Sequence, residues 1–198
     1  MNSSVSELFE LGVADYFRNF GHRDARESPH QAWLLMSVAK YISPQLLVAE
    51  LQVANQDLRP FGKLKVTRGS VNFDFAVTRS EINLRSWKSQ TKGWKQGNPT
   101  NSQTLATLQQ TDVLAELKIA NSSSSTADKL VHDLVKLSCA MQFLNFNSCD
   151  QFPACYFIIL DPDRRPAVSR AVDKARSNWP ESVPFPKVLI GPRPEGSS

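Results

Sequence analysis

Two charged side chains stand two residues apart in an otherwise apolar stretch of the sequence. Glu116 and Lys118 lie within Val113 to Ala120, where alternating apolar residues predict a β-strand. Residues two apart on a strand project from the same face of the sheet, so a carboxylate and an ammonium are expected side by side. Charges in such an apolar setting are unfavourable unless they pair or bind something. The spacing therefore indicates a site for chemistry or ion binding.

A lone carboxylate occupies a similar place one strand earlier. Asp74 lies in the segment 71–78, whose alternation also predicts a strand. One face of that strand is expected to carry Val71, Phe73, Phe75 and Val77. If the strands are neighbours, Asp74 and Glu116 repel each other unless a hard cation such as Mg²⁺ lies between them. Such an ion polarises a phosphoryl oxygen and lowers the pKa of bound water, and Lys118 is expected to orient that water or stabilise developing charge.

Positive charge is concentrated in one part of the chain. The 198 residues carry a net charge of +4. Between Arg59 and Lys95, nine basic residues stand against two acidic ones, which gives +7 and leaves −3 for the rest. Clustered positive charge is typical of proteins that bind the phosphate backbone of nucleic acids, although a solvated basic hairpin gives the same composition.

The same region interleaves aromatic rings with cations. The candidates for stacking on bases and pairing with phosphates are Arg85, Trp87, Lys88, Lys92, Trp94 and Lys95. The alternative is that the tryptophans pack beneath a loop whose lysines are solvated. Residues Ser80 to Gln110 fit no helix or strand well, and we interpret them as a long basic insertion.

The elements that must position these residues follow from hydrophobic periodicity. The expected order is helix, helix, strand, strand, strand, helix, strand, helix, strand. The predicted helices span 5–20, 28–42, 126–145 and 167–178, and the predicted strands span 47–53, 71–78, 112–120, 155–160 and 187–190. Three successive strands followed by a crossover helix and a strand predict an α/β sandwich with a mixed central sheet flanked by helices.

Two segments of this pattern resemble the PD-(D/E)xK nuclease superfamily. They are Asn72-Phe73-Asp74-Phe75-Ala76 and Ala115-Glu116-Leu117-Lys118-Ile119. The element order is similar to the superfamily's core from about 28 to 160, and the following helix carries similar positions at Lys129, Asp133, Lys136 and Leu137.

The resemblance implies a restriction-endonuclease-like fold and a hydrolase that cleaves nucleic acid, DNA ahead of RNA, with Mg²⁺ or Mn²⁺. By resemblance, Asp74, Glu116 and the backbone carbonyl of Leu117 hold the metal, and Lys118 is the catalytic lysine. No proline precedes Asp74, and the gap to Glu116 is long for the pattern. The superfamily often has a further acid on its first helix, and the candidates are Glu27, Glu7, Glu10 and, on the first strand, Glu50.

Length and composition favour one domain over 1–198, with a loose tail at 192–198. Three unpaired cysteines, no apolar run long enough for a membrane span and no secretory pattern at the start predict a cytoplasmic protein. A chain this small leaves little surface for base recognition, so we expect a homodimer or a partner protein. The alternatives to a nuclease are a catalytically silent nucleic-acid-binding module and a protein-interaction module on the same fold.

Overall fold

The computed structural model describes residues 3–62, 64, 70–80, 101–120, 125–161, 163 and 165–191, with the side chains of 101, 102 and 125–129 left aside. Its helices are α1 (Val5–Phe20), α2 (Glu27–Val38), α3 (Asn55–Leu58), α4 (Asn101–Gln109), α5 (Ser125–Phe146) and α6 (Pro166–Ser177). Its strands are β1 (Leu47–Ala54), β2 (Ser70–Thr78), β3 (Thr111–Ile119), β4 (Ala154–Leu160) and β5 (Lys187–Gly191). Short 3₁₀ segments at Pro44–Leu46 and Arg59–Phe61 precede β1 and follow α3.

The strands form one mixed sheet in the order β1-β2-β3-β4-β5. β2 is antiparallel to both of its neighbours, β1 and β3, whereas β3, β4 and β5 run parallel. Parallel neighbours require crossover connections, and α5 and α6 provide them. The predicted α/β class, with a mixed sheet flanked by helices, is confirmed.

Helices α1 and α2 cover one face of the sheet. Their buried side chains pack on β2, β3 and β4, and Tyr16 and Phe9 are fully enclosed. The two helices approach closely because Gly12 has no side chain: a Cβ there would lie 2.6 Å from the Val38 Cα. A capping box between Ser4 and Glu7 fixes the start of α1.

Helices α5 and α6 cover the other face. An apolar stripe of α5 at helical spacing is buried there, and it consists of Leu130, Leu134, Leu137, Met141 and Leu144. The strand β4 lies between both layers, with Phe157 and Ile159 facing α5 and Tyr156 and Ile158 facing α1 and α2. A strand covered on both faces reads as a continuous apolar run, as 155–160 does.

The predicted single apolar face of β2 is wrong. Phe73 packs in the α5 layer, whereas Phe75 packs in the α1 and α2 layer, so the alternation is interrupted at Asp74. On the paired edge strand, Glu50 lies between Ala49 and Leu51, the partners of Phe75 and Phe73, and has a φ of 55°, in the left-handed region. β1 changes face at the same point, since Leu47 packs in the α1 and α2 layer and Leu51 in the α5 layer, which strict alternation along one strand does not foresee.

Residues 80–110, which fit no helix or strand well in the sequence, include a helix at 101–109, α4, that the predicted element order lacks. Leu108 of this helix is fully buried, and the Thr104 hydroxyl accepts a hydrogen bond from the Ala54 backbone N–H at 3.2 Å. These contacts, rather than an apolar stripe in the sequence, hold the helix in place. The rest of the predicted basic insertion, 81–100, and the tail 192–198 lie outside the described residues.

Candidate active site

The site begins where β2 and β3 separate. Their residue pairing ends at Phe75 opposite Ala115, one residue before Asp74 and Glu116. Beyond this point the Asp74 Oδ2 accepts a hydrogen bond from the Leu117 backbone N–H at 2.9 Å. In an extended strand the N–H and C=O of one residue point to the same side, so the Leu117 carbonyl also faces the space beside Asp74.

Helix α2 supplies a second contact to the same carboxylate. Gln31 Nε2 donates to the Asp74 Oδ1 at 3.0 Å. The two oxygens of Asp74 are therefore held from two directions, by a side-chain amide and by a strand N–H. Each carboxylate oxygen has two lone pairs, so this arrangement orients the group and still leaves acceptor capacity.

Glu116 is the most deeply buried charged residue of the cluster, with 0% of its surface exposed. Its Oε1 lies 2.7 Å from the Nζ of Lys136, on α5, and its Oε2 has no hydrogen-bond partner within the described part of the chain. Burial raises the pKa of Glu116 well above its ordinary value, and the nearby charge of Asp74 raises it further. An enclosed carboxylate oxygen without a partner is a position at which a cation is favoured.

Lys118 projects from the same face of β3, as its spacing from Glu116 predicts. Its Nζ lies 2.9 Å from the Oδ2 of Asp133, on α5, and 3.2 Å from the Oε2 of Glu27, at the start of α2. Burial by itself lowers the pKa of Lys118, but Asp133, Glu27 and Asp74 outweigh that effect and raise it above its ordinary value. The side chain is therefore charged at neutral pH.

Asp133 links the two lysines. Its Oδ2 faces Lys118, while its Oδ1 lies 3.1 Å from the Nζ of Lys136. Burial raises the pKa of Asp133, yet the two ammonium groups outweigh it and the pKa falls below its ordinary value. His132 Nδ1 lies 3.5 Å from the same carboxylate, at Oδ1.

Glu27 joins the cluster from the α2 side and is less enclosed than Glu116 and Asp133. Burial raises the pKa of Glu27, the Lys118 charge opposes this, and the net direction is upward. With every carboxyl ionised, the described part of the cluster has four carboxylates against two ammonium groups, a difference of two negative charges. The members are Glu27, Asp74, Glu116, Asp133, Lys118 and Lys136.

No group of three His, Cys, Asp or Glu side chains within the described ranges is arranged to hold a metal ion. The ligand set predicted from the sequence does not require three such side chains. It consists of two carboxylates, Asp74 and Glu116, and the backbone carbonyl of Leu117. The Oε2 of Glu116, the Leu117 carbonyl and the excess of acidic over basic side chains among the described residues all fit a divalent cation with oxygen ligands. Water would have to complete the coordination of an ion held in this way.

The other candidate acids lie elsewhere. Glu7 caps α1, and Glu10 binds Lys187 at 2.7 Å and accepts a hydrogen bond from Tyr156. Glu50 is exposed on β1, although it stands opposite Asp74 in the strand register. Of the four alternatives, Glu27 is the one in contact with Lys118.

The predicted nucleic-acid-binding residues Arg85, Trp87, Lys88, Lys92, Trp94 and Lys95 lie outside the described residues. Among the remaining basic residues of that region, Arg79 Nε binds Asp112 Oδ1 at 2.8 Å. The Arg79 Nη1 also donates to the Gln151 side chain at 2.6 Å. Its charge is therefore partly neutralised within the protein.

Gln31 is a site residue that the sequence analysis missed. A signal was present, because Gln31 lies four residues after Glu27 and side chains at that spacing share one helical face. The sequence around Gln31 gives no reason to select an uncharged amide as a site residue. Its role becomes visible only when the structure places it beside Asp74.

The chain matches no known protein-family model, no curated protein and no solved structure. No helix in the part of the chain described here is long and apolar enough to cross a membrane. The arrangement of side chains around Glu116 is thus the main support for a function.

Proposed function

We propose that the chain is a metal-dependent nuclease that hydrolyses phosphodiester bonds, with Asp74, Glu116 and Lys118 at its centre. The observation that carries the proposal is the fully buried Glu116, whose Oε2 has no hydrogen-bond partner among the described residues. Leaving such an oxygen unpaired is unfavourable unless a ligand completes it. Asp74 and Lys118, a lysine of the kind that catalyses phosphoryl transfer, lie at the same end of the β2–β3 pair.

Asp74, Glu116 and the Leu117 carbonyl are the groups that would hold Mg²⁺ or Mn²⁺. When bound, such an ion polarises a phosphoryl oxygen and generates a nucleophilic water at neutral pH. Gln31 and the Leu117 N–H fix the Asp74 carboxylate, so little reorganisation is needed for it to act as a ligand. The same contacts limit its rotation toward Glu116.

Lys118 is the group suited to act on substrate. Its ammonium is held between Asp133 and Glu27 and remains protonated, so it can orient a water or stabilise charge that develops on a phosphate oxygen. Glu27 is partly exposed, with 37% of its side-chain surface accessible, so this end of the cluster is open to incoming ligand. A lysine held by two acids keeps its position while one contact is exchanged for substrate.

The element order supports a restriction-endonuclease-like arrangement as the finer description of the fold. Two carboxylates on neighbouring antiparallel strands, a lysine two residues on and a crossover helix packed over them agree with it. DNA is the proposed substrate ahead of RNA, a homodimer the proposed assembly and the cytoplasm the proposed location. The net charge of +4 is compatible with a polyanionic substrate.

The test is cleavage of single- and double-stranded DNA and RNA with Mg²⁺ or Mn²⁺. Wild type is compared with Asp74→Ala and Lys118→Ala, and Lys187→Ala serves as the matched control because its ion pair with Glu10 lies outside the site. Circular dichroism establishes that each variant is folded. We expect cleavage by wild type and the control, and none by the two site variants.

Cleavage retained in both site variants would contradict the assignment of the site. If no nucleic acid is cleaved and calorimetry detects no metal binding, the nuclease proposal fails. A salt-dependent shift of DNA without cleavage would instead indicate a binding module.

A further inference from the structure

Lys136 is enclosed by three oxygen atoms of the protein. Its Nζ lies 2.7 Å from Glu116 Oε1, 3.1 Å from Asp133 Oδ1 and 3.2 Å from the Asn72 carbonyl oxygen, to which it donates a hydrogen bond. A lysine ammonium has three N–H groups, so three oxygens at these distances saturate it. Lys136 therefore has no donor left for a substrate.

Lys118 differs from Lys136 in this respect. It faces two carboxylates, Asp133 and Glu27, and the second of these is partly exposed. Lys136 instead touches Glu116 directly, and its side chain is 12% exposed against 1% for that carboxylate. The two lysines share Asp133 but stand on different sides of it, so they are not interchangeable.

We infer that Lys136 is a built-in counter-cation of Glu116 that weakens the binding of a divalent ion to the site. This inference rests on the proposed function, because it concerns the affinity of the proposed metal ligands. The ammonium stabilises the metal-free carboxylate at Oε1 and leaves Oε2 for the metal. A bound divalent ion then experiences repulsion from the Lys136 charge across the same carboxylate.

Removal of the Lys136 charge should consequently tighten metal binding. Two like charges a few ångströms apart interact strongly in a site shielded from water, so we expect a dissociation constant lower by about tenfold or more in Lys136→Gln. A lysine that merely positions Glu116 for the metal would have the opposite effect, because its loss would let the ligand move. The direction of the change therefore separates the two roles.

The experiment is isothermal titration calorimetry with Mn²⁺ at constant ionic strength. The proteins are wild type, Lys136→Gln, Lys136→Arg and the control Lys187→Gln, whose lysine also lies 2.7 Å from a glutamate oxygen but outside the site. We expect tighter binding in Lys136→Gln alone. Lys136→Arg retains the charge, and Lys187→Gln alters the net charge of the protein by the same amount as Lys136→Gln.

An unchanged or weaker affinity in Lys136→Gln, with Mn²⁺ binding intact in wild type, overturns the inference and leaves the proposed function standing. Equal tightening in Lys187→Gln overturns it as well, because net charge would then explain the effect. Absence of Mn²⁺ binding by wild type removes both proposals.

Lys136→Gln leaves Glu116 without its cation and is expected to be less stable without metal. If the variant is unfolded in EDTA, circular dichroism during Mn²⁺ addition provides the readout. Refolding at Mn²⁺ concentrations at or below the wild-type dissociation constant supports the inference, and failure to refold at any concentration overturns it.

Discussion

Two buried polar clusters, one between α1 and α2 and the other around Glu116, differ in how completely they are paired. Between α1 and α2, the Tyr16 hydroxyl lies 2.8 Å from His30 Nδ1, and His30 Nε2 lies 3.1 Å from the Arg23 carbonyl oxygen. Both side chains are fully buried. Each ring nitrogen of His30 thus has a partner, and burial lowers the pKa of His30, so the group is neutral.

The cluster around Glu116 has the reverse character. Within the described ranges it joins four acids to two lysines and leaves one oxygen of Glu116 without a hydrogen bond. A buried polar group that contributes only to stability has its hydrogen bonds made within the protein. A buried group that binds a ligand has a hydrogen bond or coordination position that the ligand fills. The contrast predicts that mutations in the first cluster affect stability and mutations in the second affect activity.

The largest expected effect is that of Glu116→Gln. Loss of a metal ligand should reduce nucleic acid cleavage by about a thousandfold or more. In EDTA, the free energy of unfolding at pH 7 should stay close to that of wild type, because the amide carries no buried charge and Lys136 keeps its contacts with Asp133 and the Asn72 carbonyl oxygen. Cleavage rates and urea denaturation measure the two quantities.

The control for this variant is Glu10→Gln, which removes a glutamate charge from a half-exposed ion pair with Lys187. It should leave cleavage unchanged. A loss of several kcal/mol in the metal-free stability of Glu116→Gln would mean that Glu116 serves the fold as a buried ion pair with Lys136.

Gln31→Ala should have the next largest effect. The substitution removes the amide that holds Asp74 Oδ1, and loss of such an outer contact to a metal ligand reduces activity or metal affinity about 10- to 100-fold. Steady-state cleavage at varied Mn²⁺ concentration measures it. Gln142→Ala is the matched control, because that glutamine also donates hydrogen bonds but contacts Phe61 and Ser138. Equal losses in both variants would rule out a specific role for Gln31.

Tyr16→Phe tests the satisfied cluster. Without the hydroxyl, the buried His30 Nδ1 loses its hydrogen bond, at a cost of about 1–3 kcal/mol in the free energy of unfolding. Cleavage per folded molecule should not change. Tyr41→Phe removes a hydroxyl that binds Asp15 nearer the surface and should cost less. A variant of Tyr16 that loses activity but not stability would reverse the assignment of the two clusters.

Much of the fold follows from the sequence because its elements have strong periodicity. The α5 stripe and the apolar run of β4 predict a buried helix and a strand covered on both faces, and both are found. Helix α4 was not predictable in this way, since it is held by Leu108 and by the Thr104 contact to β1. The change of face at Asp74 coincides with the left-handed backbone of Glu50 on the neighbouring strand, which alternation along one strand does not reveal.

The site was predictable where residues share an element. Glu116 and Lys118 are two apart on one strand, so their common face is a consequence of spacing alone. The contacts of Lys118 with Glu27 and of Lys136 with Glu116 join residues far apart in the chain, and only the packing of α2 and α5 over the sheet brings them together. Spacing alone therefore could not choose among the candidate acids.

The smallest expected effect is the pH dependence of the stability that His30 contributes in the first cluster. Because burial lowers the pKa of His30 below its ordinary value of 6.5, the unfolded chain takes up a proton at higher pH than the folded chain does. The stability from neutral His30 is complete above pH 6.5 and is lost as the pH falls toward the folded pKa, with a slope of at most about 1.4 kcal/mol per pH unit.

The difference in unfolding free energy between wild type and His30→Gln, followed from pH 7.5 to 5, isolates this group from Glu116. That difference should shrink as the pH falls, whereas the exposed control His22→Gln should run parallel to wild type. A difference that stays constant over this range would mean that His30 binds protons equally in the folded and unfolded chains, and the assignment of a neutral His30 to the first cluster would fail.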